Sequence, residues 1–187
     1  MPKSRLLILS DLFGSKKLEW INYYIEKLEY SFDIQYYDVL KLGEIRTVDF
    51  DEKDIHSQFL ENGIDKAVQN LLNHEKEKVF ILGFSIGGTI AWKASLQGLK
   101  VLQLFAVSST RLRYETQTPN CKLKLYFGED DSNRPNTQWF LDLNVSNVIL
   151  PNQNHQLYLE HEIIALICNE ILNTCDSFLN NNCFKND

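Results

Sequence analysis

The chain has 187 residues, a formal net charge of −6 and a hydrophobic fraction of 44%. That is enough for one domain around one core, and too acidic for a nucleic-acid footprint, which needs a basic face. The N-terminal apolar run Leu6 to Leu9 is far too short for a signal-peptide core or a membrane span. The expected setting is therefore the cytoplasm, with no stable membrane anchor.

Strands and helices alternate along the chain. The first strand is read at Arg5 to Leu9, followed by the loop Ser10-Asp11-Leu12-Phe13-Gly14. Leu18, Ile21, Ile25 and Leu28 then recur at helical spacing. A second strand is read at Ile34 to Val39, and an acidic loop through Gly43, Asp49 and Asp51 leads to a helix from about Asp54 to His74. The third strand, Lys78 to Gly83, runs into a turn at Ser85 and a helix carrying Ile86, Ile90 and Ala94. Strands follow at Val101 to Val107 and Lys122 to Phe127, then a short helix at about Thr137 to Leu143. The last strand is Asn147 to Leu150, and the last helix carries Ile164, Ile167, Ile171 and Phe178. The polar tail from Asn180 to Asp187 reads as frayed. This alternation predicts a mostly parallel sheet of about six strands, helices on both faces and a ligand at the carboxyl ends of the strands.

The strand–turn–helix around Ser85 carries chemistry. Gly83-Phe84-Ser85-Ile86-Gly87 is a G-x-S-x-G pentapeptide. A serine on so tight a turn projects its hydroxyl from the end of the sheet, and glycines two residues either side let the backbone pass closely. The Ile86 N–H then faces the place where an oxyanion would form. Such a serine needs a base and an acid later in the chain. His56 and His74 precede it in charge-rich helical sequence, and His161 lies between Glu160 and Glu162. These three read as surface histidines. His155 follows the last strand, Pro151 and the polar turn Asn152-Gln153-Asn154, and is the candidate base. The acid is sought in Glu129-Asp130-Asp131, just past Gly128, with Asp131 favoured and Asp130 in reserve. A carboxylate there can orient the imidazole and stabilise imidazolium.

Gly83-Phe84-Ser85-Ile86-Gly87-Gly88, Gly128-Glu129-Asp130-Asp131 and Asn154-His155 together resemble the α/β-hydrolase superfamily, over a span from Leu6 to about Leu179. The resemblance implies a three-layer α/β sandwich with strand order 2-1-3-4-5-6, lacking the family's first antiparallel hairpin. It places the acid three residues after the strand-ending glycine, at Asp131. It implies a second oxyanion donor on the loop after the first strand, with the Leu12 N–H first and Phe13 next. The family often has His-Gly there; Ser10-Asp11 stands instead, so the Asp11 carboxylate has to turn away from the oxyanion. Ser108 to Asn120 is too short for a cap domain, so the site is expected to be open, with Arg111, Arg113, Tyr114 and Trp139 as candidate rim residues. An anionic acyl group is one partner such arginines would take.

The expected activity is a serine hydrolase acting on a small acyl ester or thioester, with no metal and no organic cofactor. An acyltransferase or peptidase would use the same triad, and a catalytically inactive hydrolase fold serving as a binding scaffold is the reading from another class. Cys121, Cys168, Cys175 and Cys183 form no C-x-x-C pair and no zinc spacing, and Cys168 reads as a small core residue. The sequence sets no oligomeric state.

Overall fold

The computed structural model describes residues 3–17 and 19–183. Six strands form one sheet: β1 (Ser4–Leu9), β2 (Phe32–Tyr37), β3 (Val79–Phe84), β4 (Val101–Val107), β5 (Lys122–Gly128) and β6 (Asn147–Leu150). Their order is β2-β1-β3-β4-β5-β6, and every neighbouring pair is parallel. All six strands run the same way, so the loops that follow them meet along one edge, and the order of winding reverses between β1 and β3.

The period-2 alternation of each strand divides the core into two layers. Leu7, Leu9, Ile81, Leu104 and Leu125 face α2 (Val39–Leu42), α4 (Ile64–His74), α5 (Ile86–Leu96) and α6 (Thr137–Asp142). Leu6, Ile8, Phe80, Leu82 and Phe105 face α1 (Glu19–Leu28) and α7 (His161–Cys183). β3 is buried along its whole length, as a central parallel strand covered on both faces must be. At the opposite end of the sheet, buried Glu75 accepts two 2.9 Å hydrogen bonds from Arg5 and one of 2.6 Å from Tyr37.

Two regions differ from the sequence reading. The second strand stops at Tyr37 rather than Val39, because the Asp38 carboxylate accepts from the Leu40 N–H and caps α2 there. The long helix after the acidic loop is three pieces: α3 (Glu52–Gln58), a π-helical turn (Phe59–Gly63) and α4. Its start lies before Asp54, because Asp51 and Asp54 form a reciprocal capping box. Leu18, read as the first inward residue of α1, lies outside the described residues. The last helix runs on to Cys183, past Asn180 where the tail was read to begin, and 184–187 lie outside the described residues. No described helix is long and apolar enough to cross a membrane.

Candidate active site

Ser85 occupies the turn between β3 and α5 with φ 48° and ψ −116°. A non-glycine residue there carries strain of about 1–3 kcal/mol. The turn is tight enough to require its glycines. A Cβ on Gly83 would sit 2.6 Å from the Gly88 Cα, and one on Gly87 would sit 2.8 Å from the Leu9 carbonyl oxygen. The Ser85 N–H donates to the Val107 carbonyl at 2.8 Å, tying the turn to β4. Its hydroxyl does not cap α5. It lies 3.1 Å from His155 Nε2 instead.

His155 Nδ1 lies 2.7 Å from Asp131 Oδ2. The other carboxylate oxygen, Oδ1, accepts from the Asn133 N–H at 3.0 Å. A carboxylate at Nδ1 fixes the tautomer that carries its proton there, leaving Nε2 to accept from Ser85. Burial opposes ionisation of Asp131. The hydrogen bond and charge of His155, the Asn133 N–H and the charge of Arg113 outweigh it, and the carboxyl titrates below its ordinary range. The loops carrying acid and imidazole are joined directly, since the Glu129 N–H donates to the Leu150 carbonyl and the Asp130 N–H to the Gln153 carbonyl, both at 2.9 Å. Asn152 takes φ 55° in the loop before His155, a left-handed conformation that asparagine accommodates. Asp130, the reserve acid, is exposed and makes no contact with the imidazole.

Ile86 is the first residue of α5, so its N–H has no partner within the helix. Leu12 lines the same cavity, of about 270 Å³, as Ser85, Ile86 and His155. The Phe13 N–H, the reserve second donor, donates to Asp11 Oδ1 at 3.0 Å. Asp11 is buried, and its Oδ2 accepts from the Tyr158 hydroxyl at 3.1 Å. Its carboxylate is thus engaged by the loop backbone and by the turn leading into α7, and Asp11 is not part of the cavity wall. Burial and the Asp11 charge hold the Tyr158 phenol protonated far above its ordinary range, so it donates.

The rim differs from the expectation in two ways. Trp139 is not part of it: its ring packs against Trp92 and Phe140, and its indole N–H donates to the Glu115 carbonyl at 2.9 Å. His56, read as a surface histidine, lines the cavity together with Glu52 and Arg111. α3 folds across the carboxyl edge of the sheet, so a helix as well as short loops walls the site. Burial and the nearby Arg111 charge push His56 below its ordinary value, outweighing Glu52. The Asp51-x-x-Asp54 capping box marks in the sequence where α3 starts and so brings Glu52 into the helix, but it carries no signal that the helix folds over the sheet edge. Arg113 and Tyr114 are not in the wall either. Arg113 donates to the carbonyls of Thr110 and Asn133, and Tyr114 is exposed.

The fold matches solved structures. A protein of Xanthomonas campestris pv. campestris assigned to the alpha/beta hydrolase superfamily superposes with a TM-score of 0.66 at 17% identity, over 92% of this chain and 99% of that one. The chain has the α/β-hydrolase fold. A carboxylesterase of the thaumarchaeon Nitrososphaera gargenis carries the same hydrolase fold at TM-score 0.63 and 16% identity, covering 93% of this chain and 92% of that one. Mouse alpha/beta hydrolase domain-containing protein 10 gives 0.63 at 12% identity, with 95% and 92% covered. No family model matches the chain. In sequence it is 30% identical over 104 residues to the uncharacterized protein YczH of Bacillus subtilis (strain 168). That match takes in 50% of this chain, which spans about half the length (48%) of that relative.

Proposed function

We propose that this protein is a serine hydrolase that cleaves a carboxylic ester or thioester through an acyl-enzyme on Ser85. The observation that supports it is the unbroken hydrogen-bonded chain Ser85–His155–Asp131, with distances of 3.1 and 2.7 Å. Ser85 Oγ attacks the acyl carbon as His155 Nε2 takes its proton, and a C–O bond forms. The carbonyl π pair moves onto oxygen, where the Ile86 and Leu12 N–H groups receive the negative charge. Collapse of this intermediate breaks the bond to the leaving group, which takes the proton from His155. Water then adds to the acyl-enzyme by the same steps, releasing the carboxylic acid and restoring Ser85. Asp131 remains ionised and stabilises imidazolium throughout. The carboxylesterase among the structural neighbours agrees with ester chemistry.

The scaffold reading rests on the crowded acids Glu129-Asp130-Asp131 and on Ser10-Asp11. A carboxylate there would oppose an oxyanion, but Asp11 spends its oxygens on Phe13 and Tyr158. Turnover of p-nitrophenyl acetate tests the proposal. Ser85→Ala and His155→Ala should each lower kcat by at least about 10³. Undiminished turnover in either variant would overturn it.

A further inference from the structure

Arg111 is the cavity feature that the ester chemistry leaves unused. It lies on the 3₁₀ turn Thr110–Tyr114 directly after β4, the strand beside Ser85 in the sheet. It shares the cavity wall with Ser85 and His155 and is half-buried. No carboxylate among the described residues lies within ion-pair distance of it. Its guanidinium carbon stands 5.3 Å from the centre of the Tyr114 ring, a contact that steadies the group and consumes none of its N–H donors. Arg113, two residues on, spends donors on backbone carbonyls. Glu52 is exposed at the same cavity, so solvent screens its charge more than that of the half-buried guanidinium.

The cavity is small. Its volume of about 270 Å³ is at the lower edge of ordinary ligand pockets, and holds roughly nine waters' worth of liquid. Ser85 and Arg111 share this one small cavity, so a group that reaches both spans a short distance; Leu12, Glu52 and His56 also line an adjoining cavity of about 830 Å³.

We propose that the acyl group carries its own carboxylate, received by Arg111, so that the substrate is a half-ester or half-thioester of a short dicarboxylic acid. This rests on the serine-hydrolase reading of the same site. A guanidinium binds such a carboxylate through paired N–H donors, with charge assistance.

The test compares ethyl hydrogen succinate with ethyl levulinate, a neutral ester of the same shape, by pH-stat at pH 7. The wild type should prefer the half-ester in kcat/KM by at least about tenfold, the effect of one charge-assisted contact. Arg111→Gln should bring the ratio to near one, and Arg111→Lys should keep part of it, since charge remains and the fork is lost. A wild type without preference, or Arg111→Gln with the ratio intact, overturns the proposal. Binding without turnover separates it from the hydrolase reading. Ser85→Ala protein titrated with ethyl hydrogen succinate should show shifts of the His155 ring resonances that Arg111→Gln abolishes. Such binding with neither ester cleaved by the wild type leaves the carboxylate site standing and removes the hydrolase reading. Cleavage of both esters without this binding does the reverse.

Discussion

Replacing Tyr158 by Phe isolates one hydrogen bond to a buried charge. The ring of Tyr158 packs on Trp20, with centroids 4.9 Å apart, and on Phe84 at 5.5 Å. Phenylalanine keeps those contacts, so the apolar contribution is nearly unchanged. What is lost is the 3.1 Å bond from the hydroxyl to Asp11 Oδ2. Asp11 keeps the Phe13 N–H on its other oxygen. A hydrogen bond to a charged group in a buried setting contributes about 1.5–3 kcal/mol, so Tyr158→Phe should lower unfolding free energy by about 2 kcal/mol. Urea unfolding at pH 7, followed by the fluorescence of Trp20 and its fellow tryptophans, measures it as a lower midpoint at unchanged slope. The cycle with Asp11→Asn sharpens the test, because the two residues meet directly and their effects should couple by most of that amount. A loss below about 0.5 kcal/mol, or strictly additive variants, would refute the view that this pair braces the loop after β1 against the turn before α7.

Two further outcomes follow from other parts of the molecule. Asp131→Asn should lower kcat by about 10³–10⁴, through loss of the imidazole tautomer and of imidazolium stabilisation, whereas Asp130→Asn, an exposed change, should stay within about twofold; equal effects would reassign the acid. At the far end of the sheet, burial opposes the charge on Glu75, but Arg5 and Tyr37 outweigh it and its carboxyl sits below the ordinary range. A lowered carboxyl contributes stability that is complete above its unfolded value of about 4.3 and is lost as pH falls through the folded one. Glu75→Gln should therefore cost about 1–3 kcal/mol at pH 7 and unfold with a shallower dependence on pH below 5; an unchanged acid limb in urea midpoints would contradict this.

β1, β3 and β4 were legible as short apolar runs and β5 by its alternation of polar and apolar residues, and the strand order followed from the family the motif resembles. Ser85, His155 and Asp131 were legible for a linked reason: each sits just past a strand end, and the loops after strands converge in a parallel sheet. Asp131 and Asp130 differ only in the direction the backbone turns after Gly128, which three adjacent acids do not reveal. The positions of His56 and Glu52 depend on α3 folding over the sheet edge, a tertiary event with no periodicity of its own. Trp139 misled because an aromatic residue on a short helix reads alike whether it faces a cleft or, as here, fits against Trp92.

The central claim is that the Ser85 hydroxyl is an activated nucleophile. Incubation with a fluorophosphonate probe, followed by intact mass and peptide mapping, measures it directly. One adduct is predicted, on the peptide containing Ser85, absent from Ser85→Ala and strongly slowed in His155→Ala. An unlabelled wild-type protein, or labelling that persists in Ser85→Ala, would contradict the account.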